Sequence, residues 1–502
     1  VHGWLRQAAG GLPRQFWFLW TGTLINRLGS FVVLFLSIYL TGERHLTQSQ
    51  AGLVLGLYGV GGAIGTMTGG VLADRWGRRP TMLTAQFGAA ALMLALGFAQ
   101  SYPQILVVTA LLGLFGEGVR PAFSAMMVDV VPEADRVRAY SLNYWAINLG
   151  FALAAIAAGF AAQADYLLLF VVDAATTLLT ATITLIFLAE TRPAHRPAGD
   201  GTPAPRGGML TALGDRVFLV YLLINLLSVL VLLQHASTLP IAMLADGFSA
   251  ATYGWVIAVN GLLIVFGQLF VPRLIDGRRS DRVLAVGALI IGAGFGLVAV
   301  AHAAWMYALT VVIWTLGEML QSPSNAATVA ALSPPALRGR YQGLSSLSWS
   351  IGTALAPILG GLVLQGFGSA ALWLGCFVLC ALAAAGHLLA GPARERRAAL
   401  RRTQELAGLA DTPAATGGPA PAASPTALPP AAADGDPDPA TSPTALPPAA
   451  ADGDPDPALA ATTVDAGNHA APFPVARQRA AAADAAPTGS GADMRAPVAD
   501  GR

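Results

Sequence analysis

The chain contains no lysine: its 29 strongly basic side chains are all arginine, set against 28 acids for a net charge of +1. A phosphate-cradling loop of the Gly-x-x-x-x-Gly-Lys-Ser/Thr kind needs that missing amine, and imine-forming enzymes need it as nucleophile, so both classes are excluded. Cysteine is nearly absent too. Cys376 and Cys380 lie one helical turn apart in an apolar run, too few ligands for a metal, and the 7 histidines are scattered. Neither Gly-x-Ser-x-Gly nor His-Glu-x-x-His occurs, so no enzyme, metal or cofactor is expected, and a balanced net charge gives no footing for nucleic acid.

Charge as a whole is scarce, at 11% of 502 residues, while 55% are hydrophobic and the mean hydropathy is +0.59. A soluble domain carries about 25% charged residues. The segments 81–116, 139–164, 217–245, 283–317 and 341–393 hold no Asp, Glu or Arg, each long enough for one or two bilayer crossings of about 20 residues. Glycine, proline and charge punctuation divides the apolar part into twelve expected spans, at 16–40, 51–73, 81–99, 104–131, 139–162, 167–189, 217–244, 252–272, 283–301, 304–331, 341–364 and 371–390. Arginines crowd the loops on one side, whereas the other side has only Arg44, which predicts both termini in the cytoplasm of a multi-pass cell-membrane protein, such as one of a bacterial inner membrane. No cleavable leader is expected, since the first apolar run is followed by no small-residue cleavage site.

The chain also repeats itself. Pro121 and Pro323, Pro132 and Pro334, Arg136 and Arg338, Arg138 and Arg340, Gly150 and Gly352, Gly159 and Gly361, and Asp74 and Asp276 are each 202 positions apart. An offset of six spans keeps every helix direction, which predicts an all-α protein of two parallel six-helix bundles, 1–190 and 216–391. A polar Pro/Gly linker, 191–215, joins them. From 392 to 502 the composition turns to Ala, Pro, Asp and Gly, which reads as a disordered cytoplasmic tail in which 424–440 recurs as 442–458. The arginines at its start, Arg394, Arg396, Arg397, Arg401 and Arg402, are expected to lie against anionic head groups.

Residues 69–80 read GGVLADRWGRRP, between the second and third spans. With Gly70, Leu72, Ala73, Asp74, Arg75, Gly77, Arg78 and Arg79 in place, this loop resembles the signature of the major facilitator superfamily, over about residues 14–390. The resemblance implies transport by alternating access, with the loop latching the cytoplasmic side shut in the outward-facing state. Gly70 would allow close helix packing, Gly77 the tight turn, and Asp74 an ion pair or a contact with a helix N-terminus. Asp129 resembles the latch's partner group, or is a solvated cap. The second half holds a worn copy, Pro272-Arg273-Leu274-Ile275-Asp276-Gly277-Arg278-Arg279. The antiporter pattern Gly-Pro-x-x-Gly-Gly is missing from the fifth span, where Ala154 to Gly159 lack the proline, but is approached in the eleventh by Pro357, Gly360 and Gly361.

A charge near mid-bilayer costs about 2.5–3.5 kcal/mol on insertion scales, so each requires a reason. Arg27, Glu117, Arg120 and Glu318 are the mid-span cases, on spans 1, 4 and 10, which by the resemblance line the central cavity. Glu117 and Glu318 are candidates to carry protons or bind cationic groups, with Arg27 and Arg120 as counter-charges or anion contacts. Glu117 and Arg120 share a helix face and can equally form a structural ion pair. His235 is a titrating candidate or a hydrogen-bonded lining residue, and Asp173 reads as a wet cap near the outer end of span six. The resemblance is closest to multidrug-efflux members, which implies a monomeric, proton-coupled exporter of small amphiphilic compounds. An uptake permease or uniporter is the alternative, and a transport-dead sensor is the reading from another class.

Overall fold

The computed structural model describes residues 10–191, 212–334 and 337–410. The greater part of the expected linker and of the expected tail, including the tail's internal duplication, lies outside them. Every regular element among the described residues is helical. Ten segments are long and apolar enough to cross a bilayer. One of these, Arg338–Thr403, bends at Gly368, where φ is +84°, and holds two spans. The remaining span is Ala304–Leu332, whose apolar run is interrupted by Glu318, Gln321 and Asn325. The described residues thus supply the expected twelve.

Local chemistry starts and stops these helices. Span 2, Gln48–Arg75, opens on a reciprocal cap in which Thr47 accepts from the Gln50 N–H at 3.2 Å and Gln50 accepts from the Thr47 N–H at 3.0 Å. Span 4, Tyr102–Val130, opens the same way on Ser101 and Gln104. Each such pair satisfies backbone donors that a helix end leaves open. Between spans 2 and 3 (Arg78–Phe98), Gly77 takes φ +116°, a turn conformation that L side chains disfavour.

Packing within the first half is backbone against backbone. On span 2, a Cβ added to Gly61, Gly65 or Gly69 would overlap the carbonyls of Ala110, Leu114 and Gly118 on span 4. In a membrane, where water does not drive helices together, such close approach supplies the dispersion contact that holds them. Gly69 makes the closest approach here, whereas a Cβ on the expected Gly70 would meet Pro121 of span 4 in ordinary contact at 3.8 Å. Span 2 turns a second small-residue face, Gly52, Gly56 and Gly59, to Ala354 and Pro357 of span 11. Span 5 (Arg136–Ala164) meets span 8 (Ala250–Gly267) likewise through Gly159 and Gly254.

These inter-half contacts gather toward the end that carries the turns at 44–47 and 246–249. Two of the hydrogen bonds that join the halves, Ser37 to the Ala236 carbonyl and the Ser49 N–H to Gln365, lie there too. The bundle is closed at that end.

Two expectations change. Span 1 is broken: Arg14–Leu28 stops at Gly29, and a second helix, Val32–Ile38, begins after a three-residue gap. Asp173 of span 6 (Tyr166–Phe187) fills the gap, only 2% exposed, its carboxylate accepting the Val32 N–H at 3.1 Å. It is a dry cap on another helix, not a wet one on its own, because the break leaves donors that lipid cannot satisfy.

The last helix also runs past the expected boundary at 391, to Ala410. Arg394 is buried on His387, donating to its Nδ1 at 3.0 Å and its carbonyl at 2.7 Å. Arg397 and Arg401 reach Asp215 at 3.5 and 2.9 Å. Those three arginines are therefore engaged by protein groups. The run ARERRAALRR is made of strong helix formers, which an average over the whole tail conceals.

Candidate functional site

The mid-span charges form two clusters, one in each half. In the first, Arg120 pairs with Glu117 at 2.7 Å, and the Tyr58 hydroxyl of span 2 donates to the other Glu117 oxygen at 3.2 Å. Gly62 makes the room, since a Cβ there would stand 2.8 Å from the Glu117 Cγ. Arg27 lies within Coulombic reach of Glu117, Arg120, Tyr58 and Asp173, yet makes no ion pair among the described residues. It precedes the break in span 1 by one residue, and Gly150 of span 5 leaves space for its Cβ. The Arg120 side chain is 59% exposed. A guanidinium in mid-span that open faces water rather than lipid, and with the 44–47 end closed, that water enters from the end bearing the 74–79 loop.

In the second cluster, Glu318 accepts from the Asn260 amide of span 8 at 2.9 Å, and the same nitrogen reaches Thr315 at 3.1 Å. No cation pairs with Glu318 among the described residues. Tyr144, from span 5 of the other half, lies within its Coulombic reach. Tyr58 and Asn260 are themselves 202 positions apart: each half uses the same place on its second helix to donate to a glutamate on its fourth. Periodicity in the sequence placed the glutamates, but this pairing becomes visible only when spans 2 and 4, and spans 8 and 10, are docked.

His235 stands apart from both. Its ring stacks on Trp314 with centroids 5.7 Å apart, its Nδ1 is 2.7 Å from the Leu232 carbonyl, and its own carbonyl accepts from Tyr253. The structure brings it to neither glutamate.

Among the described residues, the side-chain contacts of the 74–79 loop are with the first half. The Arg78 side chain, 10% exposed, donates to Asp129 at 3.1 Å and to the Ala73 carbonyl at 3.0 Å, and lies 3.5 Å from Asp74. Asp129 also accepts from Thr191. Arg79 reaches the carbonyls of Thr184 and Leu185. Glu190, which sequence reasoning missed, accepts the backbone N–H groups of Arg78 and Arg79 at 2.9 and 3.1 Å and so caps span 3. The Asp74 carboxylate is 78% exposed and Arg75 is also at the surface. Asp276, in the worn copy, makes no ion pair among the described residues and stands open to solvent.

Twelve helices in two parallel repeats, closed at one end around ionisable side chains, define a membrane transporter. The Major Facilitator Superfamily profile matches residues 19–319 and 235–433, and the chain belongs to that family. It is thus a multi-pass transporter of small molecules and not an enzyme. Relatives include the multidrug resistance protein MdtH of Salmonella arizonae, 27% identical over 69% of this chain and 85% of that protein. A Na(+), Li(+), K(+)/H(+) antiporter of Planococcus maritimus is 25% identical over 64% and 83%, and an uncharacterized MFS-type transporter, YqjV of Bacillus subtilis, 25% over 70% and 87%. Among solved structures, a POT family transporter in complex with 5-aminolevulinic acid superposes with a TM-score of 0.65 at 15% identity, covering 77% of this chain and 98% of that one. The nucleoside transporter NupG gives 0.65 at 13%, covering 76% and 100%. These two likenesses concern the fold alone.

Proposed function

We propose that the protein exports small amphiphilic compounds in exchange for protons, by rocking its two bundles about the mid-span clusters, and that Glu318 carries the proton. The observation that carries this reading is the contrast between the two glutamates. Glu117 has its charge balanced by Arg120, whereas Glu318 has only a neutral amide donor, and a lone carboxylate in a membrane interior is costly until a proton removes its charge. Glu117, Arg120 and Arg27 then serve as the polar wall against which a substrate's charged group is read. The names of the relatives, a multidrug resistance protein and a cation/proton antiporter, agree in kind with export coupled to protons.

In this scheme the bilayer is the solvent, a monomer suffices, both termini lie in the cytoplasm, and the Arg78–Asp129 cluster stiffens the end that must close when the cavity faces outward. The test is flux in proteoliposomes under an imposed pH gradient, across cationic, neutral and anionic amphiphiles. Glu318→Gln should abolish gradient-driven flux and leave substrate counterflow at the wild-type rate. Undiminished gradient-driven flux in that variant would remove Glu318 from the coupling, and flux indifferent to pH in the wild type would favour a uniporter.

A further inference from the structure

The worn copy of the loop in the second half holds two cations for which the latch has no use. Superposed at the 202-residue offset, Ser280 stands where the first half has Arg78, Ala331 where it has Asp129, and Pro392 where it has Glu190. Ser280 contents itself with the Thr328 hydroxyl at 2.8 Å. At that offset Arg278 and Arg282 fall opposite Trp76 and Pro80. Both are exposed, and neither makes an ion pair among the described residues.

Arg278 and Arg282 converge, with Arg279, on a groove of 380 Å³ whose other walls are apolar, chiefly Leu274, Val286 and Leu320. Arg279 is already committed, to Asp281 at 2.8 Å and Glu395 at 3.1 Å, and Asp276, between the lining residues Ile275 and Gly277, is exposed and makes no ion pair with Arg278 or Arg282 among the described residues. What is left is a pair of free guanidinium forks at the end of a membrane span, above a greasy trough.

The geometry points to a binding site for one anionic phospholipid, its phosphate held by Arg278 and Arg282 and an acyl chain laid along Leu274, Val286 and Leu320. Guanidinium forks match phosphate oxygens bidentately, and basic hollows between spans at the membrane surface suit acidic head groups. A free phosphate would use the arginines but gain nothing from the apolar walls.

The full-length protein in nanodiscs of phosphatidylcholine, titrated with spin-labelled phosphatidylglycerol, tests this. Each basic residue near a membrane surface contributes about fivefold in affinity, so Arg278→Gln with Arg282→Gln should weaken binding about twenty-five-fold. Removing two exposed cations elsewhere on that end that do not line the groove, Arg396→Gln with Arg402→Gln, should weaken it clearly less than the first pair does. Equal loss in the two double variants would reduce the site to general surface charge and overturn the proposal. So would displacement of the lipid by inorganic phosphate at matching concentration, which would mark a free-anion site. All four side chains are exposed and outside the transport clusters, and an unchanged melting temperature in detergent checks that both double variants fold.

Discussion

The two halves share a repeat but solve the same local problems with different atoms. In the first half, spans 2 and 4 touch through backbone, and a glutamate on span 4 is neutralised by an arginine one turn away. In the second, spans 8 and 10 are spaced by side chains, with Ile264, Val271 and Met319 packed between them, and the glutamate has no cation. Span 1 starts after Pro13 with no side-chain cap, whereas span 7 starts on Asp215, the residue 202 positions on, whose carboxylate takes the Phe218 N–H at 3.2 Å. The first half is a tight unit with balanced charge. The second has looser packing at the same positions and a glutamate that no cation pairs with among the described residues.

The largest effect expected from this contrast is at the paired glycines Gly65 and Gly267. Alanine in a helix gains roughly 0.5–1 kcal/mol over glycine, while forcing an extra carbon into a close-packed contact costs about 1–3 kcal/mol. At Gly65 the obstacle is the Leu114 backbone, which cannot give way, and at Gly267 it is the free end of Met319. Gly65→Ala should therefore lower the melting temperature in detergent and Gly267→Ala leave it unchanged or raised. Equal shifts would mean that the two halves pack alike.

Next comes the charge balance. Ser322 occupies the place in the second half that Arg120 holds in the first, one turn from Glu318. Ser322→Arg should give Glu318 the partner it lacks, cutting gradient-driven flux at least about tenfold, while counterflow persists; one unit of pKa displacement is already worth about a factor of ten. If gradient-driven flux survived, the contrast between the glutamates would not be what couples the proton.

The smallest effect is at Asp215. Burial works to raise the pKa of this carboxyl, but the Tyr341 hydroxyl at 2.9 Å, the Phe218 N–H and the Arg397 and Arg401 cations outweigh it and hold it below the ordinary aspartate range. A lowered folded-state pKa means stability that is present above the unfolded value and lost as pH falls through the folded one. Asp215→Asn, which can still cap span 7, should cost about 0.5–1.5 kcal/mol at pH 7. The gap should close as pH falls below about 3.9, the unperturbed value. Melting curves of both proteins at neutral and acid pH check the sign, and a gap that widened in acid would refute the assignment.

Much of this architecture was legible before any coordinates. The spans follow from apolar runs of bilayer length, the repeat from residues such as Pro121 and Pro323, and the Glu117–Arg120 pair from a spacing of three on one helix. The break in span 1 was not legible. Gly29, Ser30 and Phe31 look like ordinary span residues, and the donors they release are satisfied from span 6, 141 residues away. Glu190 was overlooked because an acid after a span reads as loop, and only docking shows it capping span 3. Arg394, Arg397 and Arg401 were read through the composition of the whole tail, which conceals the strong helix formers at its start.

What the sequence by itself determined is everything set by local hydropathy and helical periodicity: which segments cross, how many, in which repeated order, and that Glu117, Glu318, Arg27 and Arg120 fall in mid-span. What only the tertiary structure decided is which of those charges is balanced and by what. Partners across helices depend on how far each helix is rotated about its axis and how closely two axes approach, and those quantities are fixed by glycine contacts and side-chain packing between segments far apart in the chain.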